Sequence, residues 1–139
     1  MSAILLDTGP LVALLDASDS SHAFVQKQLG DLKGRVVTTA AIVTEAMFLL
    51  HDLRSGPDRL VRFLEDLQTE IAEVFDSQSL QVAASLMERY RDTPMDFADA
   101  TLVVLADRLN CSDILTLDER GFRTFRYGRN RRFRLVLQD

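Results

Sequence analysis

Short apolar runs alternate with longer amphipathic segments along most of this chain, and the alternation predicts an α/β fold. The apolar runs predict β-strands at residues 3–7, 35–38, 71–75 and 114–117. The segments between them predict helices that start near residues 8, 21, 40, 57, 77 and 96. Because predicted strands and helices alternate and are joined by short links, we expect a mostly parallel central sheet of four to five strands.

Cap and turn residues predict where several of these elements begin and end. Thr8 and Ser77 are the predicted N-caps of the helices that they begin. The helix from residue 40 is expected to run to about residue 53, where a Ser-Gly pair follows. The apolar segments 122–127 and 133–137, which flank a Gly-Arg-Asn turn, predict a final strand or a hairpin.

Length and composition exclude several classes of protein. A chain of 139 residues with 47% hydrophobic and 27% charged residues predicts one globular domain, 1–139. One cysteine cannot form an intramolecular disulfide, and only two histidines argue against a zinc site. The N-terminus lacks the basic region of a signal peptide, and no apolar run approaches the roughly 20 residues of a membrane helix. We therefore expect a cytoplasmic protein.

Five acidic residues stand at element ends or among apolar neighbours: Asp7, Glu45, Asp96, Asp99 and Asp118. Asp7 and Asp118 each follow a predicted strand, and the carboxyl ends of parallel strands meet at the edge where α/β proteins bind ligands. Helix starts lie on the same side, which brings the other three acids within reach. Buried carboxylates are paired, protonated or bound to metal, and a set of hard oxygen ligands suits Mg²⁺ or Mn²⁺. The pattern predicts a metal-dependent hydrolase.

Each acid also has a purely structural interpretation. Asp96 stands where N-caps are common, and Asp99 three residues later suits the positive end of the helix dipole. Glu45 would be unremarkable on a solvated helix face, and Asp7 and Asp118 would be ordinary strand-ending turns. One architecture accounts for all five positions together, and this favours the shared site.

The C-terminal 20 residues carry a charge opposite to that of the rest of the chain. The net charge is −5, yet seven of the 16 basic residues and only one of the 21 acidic residues fall in 120–139. A basic tail beside an acidic site predicts a surface that binds phosphates, whereas the alternative is that arginines protect an edge strand from aggregation. The residues concerned are Arg120, Arg123, Arg126, Arg129, Arg131, Arg132 and Arg134.

The segments that carry these acids resemble a PIN domain and, within that superfamily, the VapC-type toxin ribonucleases. The matching segments are ILLDTGPLVALLD (4–16), VVTTAAIVTEAMFLL (36–50) and MDFADATLVVLADRLNCSDILTLDERGF (95–122), followed by a short basic and aromatic ending. The resemblance covers nearly the whole chain and rests on the ordered set of acids rather than on one motif. It implies a three-layer α/β/α, Rossmann-like fold.

The resemblance also implies a site and partners. The family's catalytic acids fall on Asp7, Glu45, Asp99 and Asp118, the expected metal contacts on Asp7, Asp96, Asp99 and Asp118, and the supporting hydroxyls on Thr8 and Thr116. Leu117 departs from the family, because many relatives have a polar or basic residue before the last acid. The implied activity is Mg²⁺-dependent (or Mn²⁺-dependent) endonucleolytic cleavage of RNA that leaves a 5′-phosphate and a 3′-hydroxyl. The implied partners are a small VapB-like antitoxin and a second copy of the chain, with no membrane.

Three other interpretations remain open from the sequence. The first is a housekeeping RNA-processing PIN nuclease, and the second is a non-catalytic RNA-binding or regulatory PIN-like module. The third is a receiver-like or phosphohydrolase domain, which also places acids at strand ends. Phosphohydrolases of the Asp-x-Asp kind need a second acid at position 9, which is Gly9 here.

Overall fold

Five parallel strands form the central sheet, in the order β3-β2-β1-β4-β7. The structure is a computed structural model that describes residues 2–137. The strands are β1 (Ala3–Leu6), β2 (Arg35–Thr39), β3 (Glu70–Ala72), β4 (Asp113–Leu115), β5 (Arg126–Tyr127), β6 (Arg131–Arg132) and β7 (Arg134–Leu135). The helices are α1 (Thr8–Leu15), α2 (His22–Gly30), α3 (Ala40–Leu50), α4 (Gly56–Asp66), α5 (Ser77–Arg89), α6 (Phe97–Leu109) and α7 (Glu119–Thr124). The predicted α/β fold with a parallel sheet is confirmed.

Two helices are capped one residue earlier than the sequence predicts. Asp7, not Thr8, is the N-cap of α1, and its carboxylate accepts a hydrogen bond of 2.8 Å from the Thr8 amide. Asp76, not Ser77, is the N-cap of α5 and accepts one of 3.2 Å from the Ser79 amide. Aspartate, serine and threonine are all good caps, so the sequence alone cannot choose between neighbours. Asp7, a predicted metal ligand, therefore also caps the helix α1.

Two elements are shorter than their apolar patterns suggest. The helix predicted over 40–53 ends at Leu50, because α4 begins at Gly56 directly against it. A Cβ at Gly56 would lie 2.2 Å from the Leu50 carbonyl oxygen, so only glycine allows this approach. The strand predicted over 71–75 ends at Ala72, since it is an edge strand that pairs with β2 alone over three residues.

The tail holds a helix where a strand was predicted. Residues 119–124 form α7, whose N-cap Asp118 accepts a hydrogen bond of 3.0 Å from the Gly121 amide. Phe122 and Phe125, three residues apart, pack edge to face at a centroid distance of 5.1 Å. The predicted hairpin is present only as the short antiparallel pair β5–β6, and the predicted final strand is β7.

The strands β1, β2 and β4 are the centre of the core and point their carboxyl ends at one edge of the sheet. Their apolar side chains are almost wholly buried. The helix α6 packs against β1 and β2. Within residues 2–137, no helix is long and apolar enough to cross a membrane.

The aromatic tail is expected to be a structural part of this core. Phe122 is 0% exposed and contacts Phe125 and Phe133, whereas Phe48 is 70% exposed beside His51. Replacing Phe122 by alanine leaves a cavity and should lower the free energy of unfolding by about 3–5 kcal/mol. The matched change Phe48→Ala should cost less than about 0.5 kcal/mol. Urea unfolding measures both, and equal losses would contradict this packing.

Candidate active site

The five acids singled out from the sequence all line one cavity of about 470 Å³ at the carboxyl edge of the sheet. Asp7 follows β1, Asp118 follows β4, and Glu45 lies in α3, which follows β2. Asp96 and Asp99 lie at the start of α6. Four parts of the chain that are far apart in sequence therefore bring carboxylates to one place, as the parallel topology requires.

Asp7 is the most buried of the five, with 6% of its surface exposed. One carboxylate oxygen accepts from the Thr8 amide at 2.8 Å, and the other accepts from the Thr116 hydroxyl at 2.7 Å. Burial raises the pKa of Asp7 to about 6 in spite of these two bonds, and the nearby Glu45 and Asp96 charges add to the rise. Asp7 is thus held in one orientation at an electrostatic cost.

Asp96 and Asp99 hold each other at the start of α6 in a capping box. The Asp99 amide donates to the Asp96 carboxylate at 2.8 Å, and the Asp96 amide donates to the Asp99 carboxylate at 3.1 Å. Burial raises the pKa of Asp99 to about 8, and the charges of Asp7 and Asp96 push it in the same direction. The helix start therefore presents two carboxylates to the cavity in a fixed arrangement.

Glu45 and Thr8 lie close together in the cavity wall. Burial raises the pKa of Glu45, the Thr8 hydroxyl opposes this rise, and the charge of Asp96 adds to it. The Thr8 Oγ1 is buried, and within residues 2–137 its geometry falls short of a full hydrogen bond. Thr8 therefore interacts with Glu45 without holding the carboxylate firmly.

Thr116 connects the first and last acids of the predicted quartet. Its hydroxyl donates to Asp7 and accepts the Asp118 amide at 3.0 Å. Asp118 is the N-cap of α7, and the hydrogen bond from the Gly121 amide orients its carboxylate. A Cβ at position 121 would lie 2.2 Å from the Asp118 Oδ2. Glycine at position 121 therefore makes room for this carboxylate.

No basic side chain neutralises these five acids: within residues 2–137, none of them forms an ion pair. Oxygen-rich, uncompensated negative charge in a half-buried cavity fits a hard divalent cation. In the same described residues, no three His, Cys, Asp or Glu side chains already converge as a ready set of metal ligands. The five carboxylates share one cavity without forming such a set.

Sequence reasoning missed Asp19 in the cavity wall and three hydrogen-bonded threonines at the end of β2 and in α6. Asp19 lines the cavity from the turn before α2, where its carboxylate accepts from the Ser21 amide at 2.8 Å. Thr39 caps α3 through the Ile42 amide at 3.2 Å, and its hydroxyl lies 2.8 Å from that of Thr101 in α6. The fourth is Thr38, whose hydroxyl donates to the Leu6 carbonyl at 2.7 Å. The paired threonines that end β2 were the available signal.

The seven tail arginines do not line this cavity. Arg126 is half-buried and donates to three carbonyl groups at the end of α7. Arg134 forms a bidentate pair with Asp113, with distances of 2.7 and 2.8 Å. Both arginines therefore have structural roles at the sheet edge or beside it.

The remaining tail arginines divide into two groups. Arg123 pairs with Glu119 at 3.6 Å, and Arg131 donates to Asn110. The others, Arg120, Arg129 and Arg132, are exposed and have no ion pair or hydrogen bond through their side chains to residues 2–137. These three are the tail cations most available to an RNA phosphate.

Comparison with known proteins points to one family. A family model described as PIN domain matches residues 4–126. The chain is 32% identical over 125 residues to Ribonuclease VapC26 of Mycobacterium tuberculosis, a match that covers 88% of this chain and 92% of that protein.

Solved structures give the same fold at lower identity. M. tuberculosis VapC20, described as a sarcin-ricin loop cleaving toxin, is similar with a TM-score of 0.76 and 18% identity, over 85% of this chain and 92% of that one. DNA-bound VapBC from Salmonella typhimurium is similar with a TM-score of 0.66 and 14% identity, over 98% of this chain and 99% of that one.

The raised pKa values predict how stability depends on pH when divalent ions are absent. Asp7 and Asp99 titrate near 3.8 in an unfolded chain but near 6 and 8 in the folded protein, so the folded state binds more protons between these values. The free energy of unfolding should therefore fall as the pH rises from about 4 to 8 and then level off.

Urea unfolding in a chelating buffer over this pH range tests that expectation. Asp99→Asn should flatten the dependence, because it removes the group with the higher pKa. Asp58→Asn is the matched control, since Asp58 is exposed on α4 and its one ion pair within residues 2–137 is with Arg62. A flat profile for the native protein, or an unchanged slope in Asp99→Asn, would contradict the electrostatic description.

Proposed function

Because this chain belongs to the PIN-domain family and, within it, to the VapC-type proteins, we propose that it is a metal-dependent endoribonuclease that acts as the toxin of a VapBC-type pair. The observation that carries the proposal is a cavity lined by six carboxylates, none of which forms an ion pair within residues 2–137. Such a cavity suits phosphodiester hydrolysis, because the phosphate is drawn to cations that the acids hold. The products are a 5′-phosphate and a 3′-hydroxyl.

Asp7 and Asp99 are the proposed direct ligands of the metal, with Asp96 and Asp118 beside them. Nucleases of this family depend on a metal ion in general, and hard oxygen ligands favour Mg²⁺, with Mn²⁺ as a substitute. When bound, the ion lowers the pKa of a water molecule and offsets charge on the phosphoryl oxygens. The bonds from Thr116 and from the α6 capping box orient the ligand oxygens before any ion arrives.

Glu45 and Asp118 are proposed to position the attacking water. The raised pKa of Glu45 makes it a better proton acceptor than an ordinary glutamate, which suits a group that receives a proton from water. Asp118 is held by hydrogen bonds to Thr116 and Gly121 in the wall of the same cavity, and its other carboxylate oxygen is proposed to accept a hydrogen bond from water. Thr8, whose hydroxyl lowers the pKa of Glu45, lies beside it.

The proposed partners are an RNA substrate, a small VapB-like antitoxin and a second copy of the chain. A DNA-bound VapBC is among the structures with this fold, and the apolar residues Val12, Leu49 and Leu117 stand beside the acids in the cavity wall. An antitoxin segment with apolar and basic side chains would suit that wall. We also propose that the protein acts in the cytoplasm, where its RNA substrate would be found. Arg120, Arg129 and Arg132 are the proposed phosphate contacts of the tail.

The catalytic assignment predicts that single carboxylates are indispensable. Asp7→Asn and Asp99→Asn keep the side-chain shape but remove a charged ligand, so each should lower RNA cleavage by more than about 100-fold. A chelator should abolish cleavage by the native protein, and added Mg²⁺ or Mn²⁺ should restore it. Gel assays of a labelled single-stranded RNA measure both effects.

The control variant is again Asp58→Asn, which should cleave at the native rate. Native-like cleavage by either Asp7→Asn or Asp99→Asn would show the assignment to be wrong. Native protein that retains RNA without cleaving it at any metal concentration would favour the binding module. Expression without an antitoxin separates the toxin from the housekeeping nuclease, because only the toxin arrests growth.

A further inference from the structure

We propose that Thr39 and Thr101 are positioning residues that fix the acids of α3 relative to those of α6. Their two hydroxyl groups form one buried hydrogen bond, called here the threonine link, with 2.8 Å between the oxygens. Neither residue lines the acidic cavity, so an effect on the reaction has to pass through the helices that they join. The inference rests on the proposed ribonuclease function and states what keeps its carboxylates at a fixed separation.

The hydrogen bonds around the threonine link form a series with one direction. A hydroxyl group has one proton to donate, and that of Thr101 goes to the Ala98 carbonyl at 2.7 Å. At the link itself Thr39 is therefore the donor, and its oxygen accepts from the Ile42 amide at 3.2 Å. Both hydroxyl protons are used, and the series connects the first turn of α3 to the first turn of α6.

The two ends of this series lie close to the acids of the site. Thr39 ends β2 and is the N-cap of α3, in which Glu45 follows within two helical turns. Ala98 lies between Asp96 and Asp99 in the capped first turn of α6. The link therefore joins the two helix starts from which these three carboxylates reach the cavity.

Helix geometry places the link on the side of α6 that faces away from the cavity. Thr101 follows Asp99 by two residues, which is about 200° around the helix axis. One side of the helix start thus carries an acid of the cavity wall, while the other side is joined to the end of β2. A displacement of this joint would move the carboxylate with it.

Burial makes the link difficult to replace by other contacts. Both threonines are 0% exposed, so a lost hydroxyl leaves its partner buried and unpaired. The helices α3 and α6 also pack on each other, but apolar packing is non-directional, whereas a hydrogen bond depends on distance and angle. The competing interpretation is that the link only stabilises the fold. Folded molecules without it would then bind metal and cleave RNA as before.

Two substitutions at position 101 separate the hydroxyl from the shape of the side chain. Thr101→Val keeps the shape and removes the hydroxyl, whereas Thr101→Ser keeps the hydroxyl. Thr101→Val should raise the Kd for Mn²⁺, measured by calorimetry, by about 10-fold and lower kcat for a short single-stranded RNA by about as much. Thr101→Ser should keep the native values. Native Kd and kcat in Thr101→Val, or equal losses in the two variants, would overturn the proposal.

Ser79→Ala is the matched control for the loss of a buried hydroxyl. Ser79 is 3% exposed, and its hydroxyl donates to the Asp76 carboxylate at 2.6 Å at the start of α5, outside the acidic cavity. Urea unfolding should show a lower free energy of unfolding for this variant, while Kd and kcat stay native. If Ser79→Ala changed Kd and kcat as much as Thr101→Val, general destabilisation would explain both and the positioning role would be wrong.

A double variant keeps the test decisive if Thr101→Val does not fold. Thr39→Val/Thr101→Val replaces both hydroxyls by methyl groups, so neither hydroxyl is left buried without its partner. It should have a raised Kd and a lowered kcat, because the link is absent. Native values in this double variant would show that the site does not need the link.

Three results separate this inference from the proposed function. If the native protein cleaves RNA and the valine variants keep its Kd and kcat, the positioning role is wrong and the ribonuclease stands. If the native protein binds Mn²⁺ but cleaves no RNA, the ribonuclease proposal fails, and the Kd of the variants still decides whether the link positions the acids. If it binds no Mn²⁺, both proposals fail.

Discussion

Repulsion among carboxylates held at one edge of a parallel sheet is the constraint on which the rest of the site depends. The acids cannot move apart freely, because the backbone uses them as helix caps. Asp7 caps α1, Asp96 and Asp99 cap α6 reciprocally, and Asp118 caps α7. The hydrogen bonds that begin these helices also keep like charges together. Burial is the main cause of the raised pKa of Asp7 and of Asp99, and the neighbouring carboxylates raise it further. A bound cation would offset both effects.

The convergence of the five acids could be predicted because it follows from topology. Apolar runs identify β1, β2 and β4, and parallel strands with intervening helices bring their carboxyl ends to the same edge. The sequence could not predict which side chains far apart in the chain come into contact. The contact between the Thr39 and Thr101 hydroxyls joins residues 62 positions apart, and the place of Asp19 in the cavity depends on how one turn folds back. The threonine pair that ends β2 is visible in the sequence, but its contacts are not, and Asp19 has no local signature.

The tail shows where local patterns mislead. Phe122 and Phe125 are three apart, as in a helix, but α7 has only six residues and a helical period needs a longer window to be recognised. The arginine spacing suggested a common phosphate grip, yet two of the seven are committed to carbonyl groups or to Asp113. The partners of these arginines are brought near only when the chain folds. Counting charges along the sequence therefore cannot distinguish arginines that are already paired from those that are free to bind a phosphate.

Calorimetric titration of the cation-free protein with Mn²⁺ at pH 7, in two buffers of different ionisation enthalpy, tests the central claim most directly. It reports both the binding of the ion and the protons released. The claim predicts saturable binding with release of protons, because burial and the neighbouring carboxylates raise the pKa of Asp99, which must be ionised to become a ligand. Asp99→Asn should weaken the binding and reduce the proton release. No binding of Mn²⁺ by the native protein, or unchanged binding in that variant, would contradict a cation site built from these carboxylates.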